Sequence, residues 1–159
     1  MEIKVLFVCM GNICRSPTAE GVFQKLIEDE QIAHRIQLDS AGTHAYHVGE
    51  PPDHRAQDSA KRRGIDLSRL RARKVKEADF ELFDYVIAMD VANRDALLTI
   101  CPEEHSQKIS LFMDYTPVFE QSSVPDPYYG GKSGFETVLD MIEAASQGLL
   151  NRIKEERGV

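Results

Sequence analysis

A cysteine and an arginine separated by five residues, Cys9 and Arg15, are followed at once by Ser16. A thiol placed among backbone N–H groups at a helix N-terminus, near a guanidinium and a hydroxyl donor, favours the nucleophilic thiolate form. Arginine can hold two oxygens of a phosphate group with its forked donors, which lysine cannot do. These residue types at this spacing indicate attack of sulfur on a phosphate ester, with Cys9 as the nucleophile.

The residues between Cys9 and Arg15 suit a tight anion-binding loop. Gly11 permits the backbone angles that such a loop requires. Asn12 tolerates a left-handed conformation and can hold the loop through side-chain hydrogen bonds. The backbone N–H groups of a strand–loop–helix junction bind anions. We therefore predict a phosphate-binding loop made, besides Cys9 and Arg15, of Met10, Gly11, Asn12, Ile13, Cys14 and Ser16.

Loss of an alkoxide or phenoxide from phosphorus requires a proton donor, and the candidate is Asp126 in the segment VPDPYYG, residues 124–130. The flanking prolines stiffen its backbone. Partial desolvation by apolar and aromatic neighbours would favour the protonated carboxyl that a general acid needs. Tyr128 and Tyr129 would form a wall for an aromatic substrate. The alternatives are an ordinary turn aspartate and two surface tyrosines.

Strands alternating with helices are predicted to position these groups. Residues 3–8 form a short apolar run typical of a strand buried on both faces, and Ser16 and Pro17 suit the N-cap and first position of a helix. Asp53 and Asp90 are predicted to cap two further helices. The last helix is expected to begin near Ser133 or Gly134. Further strands are predicted at residues 36–42, 84–89 and 107–112.

This alternation predicts an α/β fold: one domain, residues 1–159, with a parallel sheet and helices on both faces. Ligands of such sheets bind at the carboxyl ends of the strands, where the strand order reverses. The loop after the first strand, which begins at Cys9, lies at such an end. The predicted active site and the predicted fold therefore agree.

Composition excludes several classes of function. The chain has 159 residues, 42% of them hydrophobic, and a net charge of −7, which disfavours nucleic-acid binding. Its apolar runs are too short for a membrane span. Without a signal-peptide pattern we expect a cytoplasmic protein with three free thiols. The five histidines are scattered and indicate no metal site.

A basic run lies between His54 and Lys76 and holds nine of the 19 lysines and arginines. It would form either a solvated helix face and loop or a patch that attracts acidic or phosphorylated partners. No aromatic residue interrupts the run, so the sequence gives no support for stacking on nucleic-acid bases.

Two motifs, CMGNICRSP at residues 9–17 and DPYYG at residues 126–130, resemble those of the low-molecular-weight protein tyrosine phosphatases. The similarity extends over essentially the whole chain, through DSAGT at 39–43, GEPPD at 49–53 and FDYVIAMD at 83–90. The resemblance implies the phosphotyrosine phosphatase I-like fold, with a four-stranded parallel sheet, and hydrolysis without metal or cofactor.

The resemblance also assigns roles to single residues. Cys9 would form a phosphocysteine, and Arg15 would bind the phosphate and stabilise the transition state. Asp126 would protonate the leaving group and then activate water. Ser16 would stabilise the thiolate, Asn12 would hold the loop, and Ser40 matches the family's serine that supports the loop without touching substrate. The expected partners are phosphotyrosine-containing proteins, and the expected state is a monomer or weak homo-oligomer.

Three positions decide details. Ile13 lines the mouth of the site; the arginine-phosphatase branch of the family has threonine there, so an apolar residue favours phosphotyrosine. Tyr46 stands where many bacterial members have tryptophan, and its ring would still stack on a substrate. Leu70 occupies a position where many members have a histidine that supports the asparagine. Because leucine donates no hydrogen bond, the support of Asn12 is an open question.

Cys14 has two interpretations: a buried loop residue, or a thiol that forms a disulfide with Cys9 and protects it from over-oxidation. An alternative function on the same scaffold is arsenate reductase, which needs further cysteines; beyond Cys14 the chain has only Cys101. A second alternative is a phosphoprotein-binding module without catalysis. The joint presence of Cys9, Arg15 and Asp126 argues against that module.

Overall fold

A sheet of four parallel strands forms the centre of the computed structural model, which describes residues 2–119, 121–127 and 131–159 and, at 131–133, the backbone alone. The strand order is β2-β1-β3-β4. β1 pairs with β2 on one side and β3 on the other, so the order reverses beside the carboxyl end of β1. The strands are β1 (Ile3–Cys9), β2 (Ile36–Gly42), β3 (Tyr85–Ala88) and β4 (Ile109–Leu111).

Helices cover both faces of this sheet, as the sequence predicts. Alternate residues of a strand point to opposite faces, and in β1 Val5 and Phe7 join a core with α1 and α5, whereas Leu6 and Val8 join a second core with α3 and α4. The described helices are α1 (Arg15–Asp29), α2 (His54–Arg62), α3 (Glu77–Leu82), α4 (Val91–Ile100) and α5 (Gly131–Arg157).

Most predicted elements are present, and the differences have local causes. The strand predicted at 36–42 is β2, and Asp53 and Asp90 cap α2 and α4 by accepting backbone N–H bonds. The fourth strand is shorter than predicted at both ends, because residues 103–108 and 112–115 form 3-10 helices. α3 was not predicted, and α5 begins earlier than Ser133, at Gly131.

In the described structure, four of the nine lysines and arginines of the basic run form ion pairs with the chain's own carboxylates: Arg55, Arg62, Arg63 and Arg73. Arg62 and Arg63 both pair with Glu136 on α5, and Arg73 pairs with the buried Asp79. This arrangement fits the simpler interpretation of the run, a solvated helix face and loop, better than a patch for acidic partners. Within the described ranges, each helix is too short or too polar to cross a lipid bilayer.

Candidate active site

Cys9 is the last residue of β1, and only 2% of its surface is exposed. Its sulfur lies 3.0 Å from the Ser16 hydroxyl oxygen and accepts a hydrogen bond from the backbone N–H of Asn12 at 3.2 Å. The N-terminus of α1 begins six residues later and adds the favourable end of its dipole. The Ser16 hydroxyl and the Asn12 N–H therefore both lie where they can hydrogen-bond to this sulfur.

The carbonyl oxygens of the loop at residues 9–15, here called the 9–15 loop, are held by the segments that enclose it. Because a trans peptide points its C=O and N–H in opposite directions, the N–H groups that follow these carbonyls point away from those segments. They are therefore available to an anion inside the loop. The bonds are Thr43 N to Cys9 O at 2.9 Å, His44 N to Met10 O at 3.0 Å and Asp53 N to Ile13 O at 2.6 Å.

Gly42 allows the end of β2 to lie directly against this loop. A Cβ atom at that position would sit 2.7 Å from the carbonyl oxygen of Met10 and 3.1 Å from that of His44. Any side chain there would push the loop away from the sheet. The glycine therefore sets the close approach that the His44–Met10 backbone bond requires.

Asn12 holds the 9–15 loop from within. Its backbone is left-handed, with φ of 58°. Its side-chain amide donates to Ser16 Oγ at 2.8 Å and to Ser40 Oγ at 2.9 Å, and its carbonyl oxygen accepts from the backbone N–H of Arg73 at 3.0 Å. Two serines and a backbone amide therefore support Asn12, while Leu70 packs against the core.

Arg15 is 5% exposed and fixed by two partners. Its Nη1 contacts Asp90 Oδ2 at 2.5 Å and donates to the carbonyl oxygen of Val124 at 3.1 Å. Burial alone would lower the pKa of Arg15, but negative charge at Cys9 and the Asp90 carboxylate outweigh burial and raise that pKa above its ordinary value. The guanidinium therefore stays charged beside the sulfur.

Sequence reasoning assigned Asp90 only a capping role and missed its bond to Arg15. The carboxylate does both: Oδ1 accepts from the N–H of Asn93, and Oδ2 binds the guanidinium. A usable signal existed, because Asp90 follows β3 closely. The carboxyl end of β3 must lie beside that of β1 in a parallel sheet.

The prediction that Ser16 caps α1 is wrong. The helix begins at Arg15, its N-cap is Cys14, and Cys14 makes no capping bond through its side chain. Ser16 is therefore already helical, and its hydroxyl is directed to Cys9 and Asn12 instead of to a helix N–H. The Ser16 hydroxyl therefore contacts the Cys9 sulfur, and the Thr18 hydroxyl donates to the carbonyl oxygen of Cys14.

A cavity of about 360 Å³ opens above the sulfur. It brings together most predicted site residues and one that was not predicted, His47, whose Nδ1 lies 2.5 Å from Glu50 Oε2. Tyr46 lies outside this lining; it is 75% exposed and stacks on His44. Tyr128 and Tyr129 lie outside the described residues. The lining consists of Cys9, Met10, Gly11, Ile13, Cys14, Arg15, His47 and Asp126.

Cys14 is a second buried thiol in the same lining, and all three cysteines are free. Burial raises the pKa of Cys14 well above its ordinary value, and the negative charges of Asp53 and Cys9 raise it further. Cys14 therefore stays protonated beside Cys9. In the described part of the chain, no three histidine, cysteine or acidic side chains are grouped to hold a metal ion.

Comparison with known proteins finds close relatives along the whole chain. A family model described as low molecular weight phosphotyrosine protein phosphatase matches residues 4–159. A low molecular weight protein-tyrosine-phosphatase of Streptomyces coelicolor is 42% identical over 159 residues, covering 98% of this chain and 96% of the relative. The human low molecular weight phosphotyrosine protein phosphatase is 43% identical over 151 residues, covering 94% of each chain.

A solved structure shows the same architecture. The crystal structure of a protein tyrosine phosphatase from Entamoeba histolytica, with Hepes in its active site, superposes with a TM-score of 0.92 at 44% identity and covers 99% of both chains. Sequence and fold therefore point to one family.

Proposed function

This chain belongs to the low molecular weight phosphotyrosine protein phosphatase family, and on that premise we propose that it hydrolyses phosphotyrosine and small aryl phosphates through a phosphocysteine on Cys9. The family is a family of hydrolases, and its membership indicates phosphoprotein substrates. The observation that carries the proposed mechanism is the convergence of Ser16 Oγ and the Asn12 N–H on the Cys9 sulfur.

In the first step the thiolate of Cys9 attacks phosphorus, and the bond from phosphorus to the aryl oxygen breaks. Its electron pair goes to the aryl oxygen, which takes a proton from the carboxyl of Asp126. Arg15 and the N–H groups of the 9–15 loop stabilise the charge on the phosphoryl oxygens. The position of Arg15 beside Asp90 supports this role, because the guanidinium is held in place before substrate binds.

In the second step water attacks the phosphocysteine, its proton passes to the Asp126 carboxylate, and the bond from phosphorus to sulfur breaks to restore the thiolate. Asp126 lines the same cavity as Cys9 and acts electrostatically on Arg15, which supports its place beside the reacting groups. Inorganic phosphate is the product, and the protein returns to its starting state.

An aryl substrate fits the mouth of this cavity. Ile13 and Met10 offer apolar surface beside the loop, and His47 closes another side. Tyr46, Tyr128 and Tyr129 remain predicted wall residues. We propose further that the chain is a single cytoplasmic domain, monomeric or weakly self-associating, and that its charge of −7 keeps it from nucleic acid.

Arsenate reduction is not favoured. The relatives are phosphatases, and Cys101 packs against the core on the α3 and α4 side of the sheet, opposite to the core that contains Cys9. Cys14 as a protector of Cys9 remains a prediction. Peroxide treatment followed by mass spectrometry tests it: a reversible bond between Cys9 and Cys14 supports protection, and irreversible loss of activity without that bond contradicts it.

Turnover of p-nitrophenyl phosphate and phenyl phosphate by two variants tests the mechanism. Cys9→Ser should abolish measurable hydrolysis of both esters, since serine supplies no thiolate. Asp126→Asn should slow the poor leaving group of phenyl phosphate roughly 100-fold or more, and p-nitrophenyl phosphate much less. Residual turnover by Cys9→Ser would remove Cys9 as nucleophile, and equal losses for both esters would remove Asp126 as general acid.

A further inference from the structure

Ser123 lies three residues before the proposed general acid Asp126, and the catalytic scheme gives it no function. Its side-chain oxygen accepts a hydrogen bond from the backbone N–H of Val91 at 3.2 Å. Val91 is the first residue of α4, and the first N–H groups of a helix have no partners within the helix itself. The Ser123 hydroxyl therefore ties the segment before Asp126 to the start of α4.

Val124, the next residue, is fixed through both of its backbone polar groups. Its N–H donates to the carbonyl oxygen of Met89, directly after β3, at 2.7 Å. Its carbonyl oxygen accepts from Arg15 Nη1 at 3.1 Å, and the residue is fully buried. Because Met89 lies two residues before Val91, the bonds of both residues hold this segment against one turn, the turn between β3 and α4.

Two prolines transmit the position of this segment to Asp126. A proline fixes its own φ at roughly −65° and disfavours the helical conformation in the residue before it. Pro125 therefore restricts Val124 as well as itself, and Pro127 restricts Asp126. Few free torsions remain between Val124 and the acid, so a shift of the bonded segment also moves the carboxyl group.

The other side of Asp126 packs against α5. A Cβ atom at Gly134 would lie 3.4 Å from the carbonyl oxygen of Pro127, so the first turn of α5 lies directly against this proline. The acid is therefore held from both sides. Loss of the bond at Ser123 should shift the carboxyl group without releasing it, and the expected effect on turnover is correspondingly partial.

We propose that Ser123 is a positioning residue for the general acid: by accepting from the Val91 N–H, its hydroxyl holds the Asp126 carboxyl where it can protonate the leaving group. This inference rests on the proposed function, because it requires Asp126 to be the acid. The role predicts an effect that grows as the leaving group becomes more basic, since such esters depend most on the acid. General damage to the fold would slow all esters alike.

The first test compares kcat for phenyl phosphate, which has a poor leaving group, with kcat for p-nitrophenyl phosphate. Ser123→Ala removes the acceptor oxygen, whereas Ser123→Thr keeps it. Ser122→Ala is the matched control, at an exposed serine in the same segment.

We expect Ser123→Ala to lower kcat for phenyl phosphate about fivefold, which corresponds to about 1 kcal/mol, the order of one hydrogen bond. For p-nitrophenyl phosphate kcat should change less than about twofold. Ser123→Thr and Ser122→Ala should match the wild type with both esters. Equal falls with both esters in Ser123→Ala, no fall at all, or equal losses in the Ala and Thr variants would overturn the proposal.

The same bond can be removed from the side of its donor. Proline suits the first position of a helix, and Asp90 before it is extended, as a residue before proline should be. Val91→Pro therefore deletes the N–H and keeps α4, while Val91→Ala keeps the N–H and controls for the lost side chain. Val91→Pro should reproduce the leaving-group effect of Ser123→Ala, and the double variant should match either single variant. Additive losses, or an unchanged Val91→Pro, would contradict the role of this bond.

Asp126→Asn separates failure of this inference from failure of the proposed mechanism. If Asp126→Asn discriminates between the two esters and Ser123→Ala does not, the positioning role fails and the general acid stands. If Asp126→Asn slows both esters equally, the proposed general acid itself fails. Where both variants discriminate, adding Ser123→Ala to Asp126→Asn should cause no further loss, and a further loss would show that Ser123 does not act through Asp126.

Discussion

The floor and the rim of the site are built differently. Cys9, Asn12, Arg15 and Ser16 form the floor, and each is at most 5% exposed with its side chain hydrogen-bonded or ion-paired. The rim, residues 43–50, is open: Tyr46 is 75% exposed. The floor is fixed before substrate binds, as stabilisation of a transition state requires. The rim is left free to select among substrates.

The sources of the hydrogen bonds explain this contrast. The floor draws partners from the ends of β2 and β3 and from the segment around Arg73, all anchored by the sheet or by buried ion pairs. The rim has backbone bonds to the 9–15 loop and to Ala72, but its side-chain bonds, such as that of His47 with Glu50, lie within its own exposed segment. Changes to the floor should therefore affect kcat strongly, and changes to the rim should affect KM weakly.

The largest effect is expected at the floor from Arg15→Lys. Lysine keeps the positive charge but loses the planar fork and cannot meet Asp90, Val124 and two phosphate oxygens together. The value of kcat/KM for p-nitrophenyl phosphate should fall roughly 100-fold or more. Arg62→Lys, at an exposed pair with Glu136, should leave it unchanged. A loss below tenfold for Arg15→Lys would mean that charge alone suffices.

A smaller effect is expected from Asp90→Asn. Asparagine is as good an N-cap as aspartate, so α4 should persist, but the charge that fixes Arg15 is lost. We expect kcat to fall roughly tenfold, in line with one charge-assisted hydrogen bond. The control is Asp95→Asn, an exposed acid on the same helix. Equal activity of the two variants would show that Arg15 needs no carboxylate partner.

At the rim, His47→Ala should have a modest effect. The imidazole lines the mouth but is partly exposed, and it pairs with the surface acid Glu50. KM for a phosphotyrosine peptide should rise about two- to threefold, as for an exposed contact, with kcat unchanged. His34→Ala, in the exposed turn before β2, is the control. A tenfold fall in kcat would place His47 in the floor.

The smallest effect on turnover is expected from Glu20→Gln, at a half-buried acid on α1. This variant should instead differ from the wild type in its free energy of unfolding. Folding raises the pKa of Glu20 from 4.5 to about 7, so the folded state prefers the protonated acid. The stability that this preference contributes is full below pH 4.5 and is lost as pH rises through 7.

Glutamine does not titrate. The free energy of unfolding of Glu20→Gln, relative to that of the wild type, should therefore increase between pH 5 and pH 8.5. The expected gain is on the order of 1–3 kcal/mol, measured by urea denaturation at both pH values. Glu28→Gln should show no such trend. If the difference in free energy of unfolding between Glu20→Gln and the wild type were the same at both pH values, Glu20 would titrate as an exposed acid does.

The sequence predicted contiguous features well. β2 has the predicted bounds, and Cys9 and Arg15 line one cavity. α3 was missed because six residues are too few to show a helical period. The prediction that Ser16 caps α1 failed because the pattern of a serine before a proline does not show which partner the hydroxyl binds. Here the hydroxyl contacts the Cys9 sulfur and the N-cap is Cys14.

The sequence alone determined the local order of strand, loop and helix that contains Cys9, Gly11 and Arg15. These elements follow one another without interruption, and each is set by nearby residues. The tertiary structure decided what holds them. Asn12 meets Ser40 across 28 residues and Arg73 across 61, and Arg15 meets Asp90 across 75. Such bonds form only where a parallel sheet brings the carboxyl ends of distant strands to one edge, and no local pattern specifies which partners meet there.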